Sequence, residues 1–321
     1  MAKPLIGILM ATYNGERFIS EQIESILNQT YKNWKLIIHD DGSNDLTIKT
    51  IKSFTKKYPN KILLIEDNIR CGGAKENFAH LMKIAKDKFN FDYIMFSDQD
   101  DIWLPNKITI SLEKMKQLES KWGSNTPLLV YTDLKIVDEN LKEIYPSLWK
   151  YQGLKPNHNS LNYLLIQNII TGCSMLINKN VLVLSLPIPQ KAVVHDWWIA
   201  LVVSSFGKLD FISTPTVLYR QHNMQVIGAK KWNLIEILKT FRDKTALKSA
   251  KKRILETILQ AEEFFKKYRH LLSNQSKKML TTYINILNLP FYLRIYYIVK
   301  YRFLKSGFLR NLGLFLLILL D

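Results

Sequence analysis

From Leu5 to Tyr131, short apolar runs rich in β-branched residues alternate with longer stretches in which apolar positions return every three or four residues. The short runs predict strands at Leu5–Ala11, Trp34–His39, Ile62–Ile65, Tyr93–Phe96 and Leu128–Tyr131. The longer stretches predict helices over Phe18–Gln29, Asp45–Lys57, Lys75–Lys88 and Lys107–Glu119. In the first of these, Phe18, Ile19, Gln22, Ile23, Ile26 and Leu27 make one core-facing stripe. Such alternation is expected of βαβ units around a mostly parallel sheet, an α/β fold. Polar turns follow several strands: "TYNGE", "DDGSND", "SDQDD" and "TDLKIVDEN". Ligands of open α/β sheets bind beyond the carboxyl ends of the strands, so these turns are expected to share one rim.

From Asp133 to Gly228 the pattern is less regular, with an apolar run at Cys173–Ile177, a break at "LPIPQ" and a helix in "VVHDWWIALVVSSFG". After "VIGAKKW" the chain turns to long amphipathic, basic helices. A boundary near Gly228 therefore separates a catalytic domain, residues 1–228, from a C-terminal helical segment, residues 229–321. No internal repeat or low-complexity linker interrupts them. The 321 residues, 47% hydrophobic, suffice for a large core. The net charge of +17 is concentrated at the end, where residues from Ala229 onward hold 19 Lys and Arg against 6 Asp and Glu. Cys71 and Cys173 lie in no C-x-x-C pattern and near no histidine cluster in the sequence, so neither disulfides nor a cysteine zinc site is expected, which fits a reducing compartment. The opening "MAKPLIGILMATYN" reads as a first strand rather than a signal peptide.

Three acidic groups interrupt this pattern. Asp40 and Asp41 end the second strand before Gly42 and Ser43, where the plain alternative is a carboxylate capping the next helix. Asp98, Asp100 and Asp101 crowd the exit of the fourth strand; one of them could cap a helix starting near Pro105, but capping does not require three. Hard cations such as Mg²⁺ or Mn²⁺ favour carboxylate oxygens and leave room for substrate phosphates, so this turn suits a metal-bound diphosphate. Asp196 lies among large apolar residues, where burial raises a carboxylate's affinity for a proton, as a general base requires; its structural alternative is a helix cap, with His195 and Asp196 opening "WWIALVV". Downstream, "YRQHN" offers His222 as a further ligand and Arg220 as a phosphate partner.

Residues 5 to 228 resemble the family 2 glycosyltransferases with the GT-A fold, a Rossmann-like nucleotide-diphospho-sugar transferase fold. "ILMATYNGERFISEQIESILNQTYKNWKLIIHDDGSND" is similar to that family's nucleotide-binding start, and "FSDQDDIWLPNK" to its D-x-D region. The resemblance implies that Thr12, Tyr13, Asn14 and Glu16 lie along the nucleoside, and that Asp41 accepts the pyrimidine N3–H. It likewise places Asp98 and Gln99 at the donor, with Asp100 and His222 holding Mg²⁺ or Mn²⁺. Asp196 would be the base of a single inverting displacement. Arg70, Lys75 and Asn77, from a segment that departs from the family pattern with Cys71 and two glycines, are further donor contacts. Asp101, Trp103, Gly172, His195, Trp197 and Arg220 would line the acceptor side or support the site. "SDQDDIW", "VYTDLKIVD", "TGCSMLIN", "HDWWIAL" and "LYRQH" together resemble bacterial rhamnosyltransferases that use dTDP-β-L-rhamnose to build cell-wall or capsular polysaccharide. A UDP-hexose-dependent transferase and a nucleotide-sugar-binding scaffold without turnover are the alternatives. Asp101 is expected to order the turn and the following helix rather than bind donor.

The basic tail mixes Tyr, Phe and Trp with Lys and Arg, and its last apolar stretch is shorter than the about 20 residues a span requires. An interfacial helix on an anionic membrane fits this composition, bringing the enzyme to a polyprenyl-diphosphate-linked saccharide at the cytoplasmic face. The alternative is a helix pair packed on the catalytic domain or pairing two copies as a homodimer. The acidic rim argues against nucleic acid as a partner.

Overall fold

The computed structural model describes residues 3–222 and 243–319. Its strands are β1 (Ile6–Thr12), β2 (Trp34–Asp40), β3 (Ile62–Ile65), β4 (Tyr93–Ser97), β5 (Ile102–Trp103), β6 (Leu128–Val137), β7 (Glu143–Tyr145), β8 (Met175–Asn178) and β9 (Lys208–Arg220). The helices between them are α1 (Ile19–Leu27), α2 (Thr47–Lys57), α3 (Ala74–Lys88), α4 (Lys107–Trp122), α5 (Leu148–Gln152), α6 (Leu161–Leu164), α7 (Lys179–Ser185) and α8 (His195–Phe206). Four more follow: α9 (Lys244–Tyr268), α10 (Asn274–Ile284), α11 (Phe291–Tyr301) and α12 (Phe308–Leu319).

The strands form one sheet in the order β3-β2-β1-β4-β8-β6-β9-β5, with β7 paired to β6. The β3-β2-β1-β4 half is parallel, as the alternation of runs predicts. The other half is not: β8 runs antiparallel to β4 and β6, and β5 antiparallel to β9, so the sheet is mixed rather than mostly parallel. The strand expected to stop at Tyr131 continues to Val137, and the polar "TD" at Thr132 and Asp133 is interior. Asp133 is accommodated there because its carboxylate accepts the Ser147 hydroxyl. A register shift against β9 at Thr132 and Asp133 absorbs the irregular spacing around Pro215.

By internal contacts the chain divides into two units, each built from three segments of the chain. The first comprises Met1–Leu148, Ile170–Ile188 and Gly207–Gly228; the second comprises Trp149–Ile169, Pro189–Phe206 and Ala229–Asp321. The expected boundary at Gly228 itself lies outside the described residues. The first unit contains the sheet, with Ile6, Ile8, Leu36, Ile38, Ile94, Phe96, Leu129 and Tyr131 fully buried. In the second, α8 is buried along Trp198–Val203, and Trp198 meets Phe264 and Tyr268 of α9 at ring-centroid separations of 5.5 and 5.9 Å. The Val193 N–H also donates to Gln260 Oε1 at 2.9 Å. The first of the basic C-terminal helices, α9, thus shares an apolar core with the helix that holds Asp196. No helix among the described residues is long and apolar enough to cross a membrane.

Candidate active site

Three turns meet at the carboxyl ends of β1, β2 and β4, as expected of a common rim. The first follows β1, where Asn14 takes a left-handed backbone (φ 47°) that its short amide side chain tolerates. Asn14 Oδ1 accepts from Asn44 N–H at 3.0 Å, and Asn14 N–H donates to Ser43 Oγ at 2.8 Å, tying this turn to the one after β2. Gln99 ties it to the turn after β4, accepting from Tyr13 N–H and donating to Tyr13 C=O, both at 2.9 Å. A side chain on Gly15 would collide with that Gln99 amide. Tyr13 remains exposed on the rim, and Glu16 accepts from Leu46 N–H at 2.8 Å. Thr12, by contrast, is interior, donating to Asp40 Oδ2 at 2.8 Å.

After β2 the two aspartates divide their roles. Asp40 caps its own turn, Oδ1 accepting from Gly42 N–H (3.1 Å) and Ser43 N–H (2.7 Å). The helix beyond is started instead by Asp45, which accepts from Thr47 N–H at 2.9 Å. Asp41 reaches the loop after β3, accepting from the Cys71 N–H and from Gly72 N–H at 3.0 Å. A carboxylate has about four lone-pair sites, so this grip leaves Asp41 with acceptor capacity. Arg70 lies over Gly42, whose left-handed φ of +86° suits glycine, and a Cβ there would stand 2.7 Å from Arg70 Nε. Lys75 pairs with Glu76 at 3.0 Å. Asn77 is not at the rim: it is buried, with Oδ1 2.8 Å from His39 Nδ1 and Nδ2 donating to His39 C=O at 3.2 Å.

The acidic turn after β4 is held by the far end of the chain. Asp100 Oδ2 lies 2.8 Å from His222 Nε2, joining the two expected metal ligands across 122 positions. Both are largely sheltered, and Phe18 packs on His222 with ring centroids 4.8 Å apart. Arg220, expected to meet a phosphate, is instead 2% exposed and fully employed inside. Its Nε donates to Asp100 C=O at 2.8 Å and its Nη1 to Glu139 C=O at 2.6 Å, while Nη2 pairs with the Glu21 carboxylate. The guanidinium also sits 4.5 Å over the Phe18 ring. Asp101 is fully buried beneath the turn and accepts Arg220 N–H at 3.2 Å. It orders the turn as expected but does not cap α4, whose cap residue Asn106 makes no side-chain cap bond. Burial, with Asp100 and Asp98 nearby, pushes the Asp101 carboxyl well above the usual range, and burial raises the Cys173 thiol beside it. Burial lowers Lys107 to about 8, and its ammonium lies 4.8 Å over the Trp103 ring. Trp103 and Gly172 are both interior.

In the second unit, Asp196 stands in the first turn of α8, partly buried, rather than midway along an apolar helix. Asn168 Nδ2 donates to its Oδ1 at 3.0 Å. Trp197 is anchored by its Nε1–H to Leu164 C=O at 2.5 Å. Burial lowers His195 to about 3, so its ring is neutral at physiological pH. Glu21, Phe18, Glu139 and Asn168 were not legible as site residues. Phe18 reads as core, and the other three have partners 28 to 199 positions away.

At this strand end the Asp100 carboxylate, a hard oxygen donor of the kind Mg²⁺ or Mn²⁺ favours, faces the His222 imidazole. Residues 7–177 match the family model for glycosyl transferase family 2. The chain is 32% identical over 228 residues, 68% of its length and 74% of the relative's, to the dTDP-rhamnosyl transferase RfbG of Shigella flexneri. It is 32% identical over 156 residues, 48% of its length and 56% of the relative's, to the Escherichia coli UDP-Glc:alpha-D-GlcNAc-diphosphoundecaprenol beta-1,3-glucosyltransferase WfgD. Among solved structures it is similar to the mannosyltransferase PcManGT of Pyrobaculum calidifontis in complex with GDP-Man and Mn²⁺, at TM-score 0.50 and 14% identity, covering 94% of this chain and 86% of that one.

Proposed function

The chain belongs to glycosyl transferase family 2, and from that premise we propose that it transfers L-rhamnose from dTDP-β-L-rhamnose to a lipid-linked saccharide, inverting the sugar C1. The observation behind a metal-assisted transfer is the pairing of Asp100 with His222 at the carboxyl end of β4. The choice of sugar rests on the relative named as a dTDP-rhamnosyl transferase. Asp100 and His222 would hold Mg²⁺ or Mn²⁺, which would neutralise the charge of a departing nucleoside diphosphate, with Asp98 at the donor. Asp41, steadied by the Cys71 and Gly72 amides, accepts the pyrimidine N3–H, a group that thymine and uracil share. Asp196, oriented by Asn168, takes the proton from the acceptor hydroxyl as its oxygen bonds to C1 and the bond from C1 to the diphosphate breaks.

The match to a UDP-Glc transferase favours a second reading, in which the donor is a UDP-hexose. A donor panel in Mn²⁺ or Mg²⁺, scored by nucleoside diphosphate release, separates the two. dTDP-rhamnose should be turned over fastest, and preference for UDP-glucose would transfer the assignment to the second reading.

We place the enzyme peripherally on the cytoplasmic face of the membrane, with α11 as the docking element. Phe291, Tyr292, Tyr296 and Val299 are 52–62% exposed on that helix, an aromatic and apolar face suited to an interface. Not every basic side chain of the tail serves it: Arg294 is turned inward, donating to the carbonyls of Leu287, Leu289 and Ile318. Because α9 shares a core with α8, shortening the chain at Gly228 would strip Trp198 of its partners. Point variants are the cleaner test. Flotation with anionic liposomes should fall when Phe291, Tyr292 and Tyr296 are all changed to Ser, and equal flotation of the two proteins would remove α11 from this role.

A further inference from the structure

Behind the rim, three residues from different elements converge. His39 lies one residue before the end of β2, His80 lies on α3, and Asp67 lies in the loop after β3. Asp67 Oδ1 is 3.2 Å from His39 Nε2 and Oδ2 is 2.7 Å from His80 Nε2, and the two rings meet edge to face at 4.8 Å. The ligand-type atoms of the three all lie within 4.8 Å of one another.

The hydrogen bonds of His39 make this more than a polar cluster. Asn77 Nδ2 donates to the His39 carbonyl, which turns Asn77 Oδ1 toward the ring, so Nδ1 must supply the proton of that 2.8 Å bond. In a neutral imidazole Nε2 is then a bare lone pair, and it faces a carboxylate oxygen. Lone pair against carboxylate is repulsive unless a proton or a cation lies between them. A proton would create an imidazolium at a residue that is 1% exposed, at the desolvation cost of a buried charge. A cation would instead find a ligand already oriented, since metal-binding histidines characteristically donate their other ring N–H to an oxygen acceptor. Asp67 is held ionised: burial opposes this, but the bonds from His80 and Ile69 and the nearby rings outweigh it. With side chains 30% and 17% exposed, Asp67 and His80 leave an approach from solvent.

We propose that His39 Nε2, the Asp67 carboxylate and His80 Nε2 form a second divalent-cation site, of the zinc type, separate from the acidic turn. Two imidazoles and one carboxylate are a zinc ligand set that leaves a fourth position for water, and imidazole ligation favours Zn²⁺ over the Mg²⁺ or Mn²⁺ of a carboxylate site. The ion would replace the two hydrogen bonds to Asp67 and so pin the start of the loop whose Cys71 and Gly72 amides grip Asp41. Its function is structural, fixing the loop against β2 and α3.

The test uses the metal alone, without donor or acceptor. Chelator-treated full-length protein is titrated with Zn²⁺ against a chromophoric chelator, and Co²⁺ substitution supplies a visible ligand-field spectrum. One equivalent should bind wild type and Asp100→Asn alike, and the saturable step should vanish in His80→Ala and in the isosteric Asp67→Asn. Circular dichroism of the metal-free proteins establishes that both variants are folded, and either one alone suffices as the control. Wild-type binding no tighter than that of a folded His80→Ala or Asp67→Asn variant would overturn the site, as would loss of the step in Asp100→Asn, which would assign the ion to the acidic turn.

Discussion

Asp196→Asn is expected to lower turnover by about 100- to 10,000-fold, the usual contribution of a positioned general base, while donor affinity stays unchanged. The substitution keeps shape and volume, and the Asn168 side chain retains an oxygen to donate to. What disappears is the capacity to accept a proton. Asp100→Ala makes the informative contrast: it should lose turnover too, but together with the dependence of donor binding on Mn²⁺. Calorimetry with the nucleotide, run beside the rate assay, separates the two losses. Undiminished turnover in Asp196→Asn would remove this residue from the chemistry.

Removing the Arg220 side chain should be the most damaging change to the first unit. Arg220→Met leaves the carbonyls of Asp100 and Glu139 without their donor and takes the cation from the Phe18 face. The ion pair with Glu21 adds little to the sum, because the Glu21 side chain is half exposed and its charge is screened. Two part-buried carbonyls deprived of charged donors set the scale, about 2 kcal/mol. The urea midpoint of Arg220→Met should fall accordingly, and metal-dependent turnover should fall with it as the acidic turn loosens. Arg220→Lys should rescue little, since one ammonium cannot serve three divergent acceptors as a planar guanidinium does. A midpoint equal to wild type would show that the turn is held by other contacts.

The parallel half of the sheet was legible because each of its strands is a short, uninterrupted apolar run followed by its own helix. β9 was not: "KLDFISTPTVLYR" contains Pro215, two threonines and partly exposed positions, so neither an unbroken run nor a clean alternation marks it. Yet β9 brings Arg220 to the acidic turn and leads into His222. Asp41 and Asp100 stood out as candidates because carboxylates at strand ends demand an explanation from their own neighbours. Asn77 misled for the opposite reason, a polar residue beside a glycine-rich loop whose partner, His39, lies 38 positions earlier. The His39, Asp67 and His80 group has no motif spacing, since its members come from β2, the loop after β3 and α3. The tail's charge count was legible, but not that Arg294 would turn inward.

The acidic turn is closed by the last strand of its unit, and that order has a consequence for biosynthesis. Glu21 and Arg220 are separated by 199 positions. At about 5–20 residues per second, roughly 10 to 40 seconds of translation pass between them. For the later part of that interval, once residue 101 has been made, the nascent chain holds β1 to β4 and their aspartates without the cation that compensates them or the histidine that faces Asp100. The parallel half can condense on the ribosome, but affinity for a nucleotide-bound metal should switch on only after β9 has emerged, so chains stalled earlier would not sequester donor.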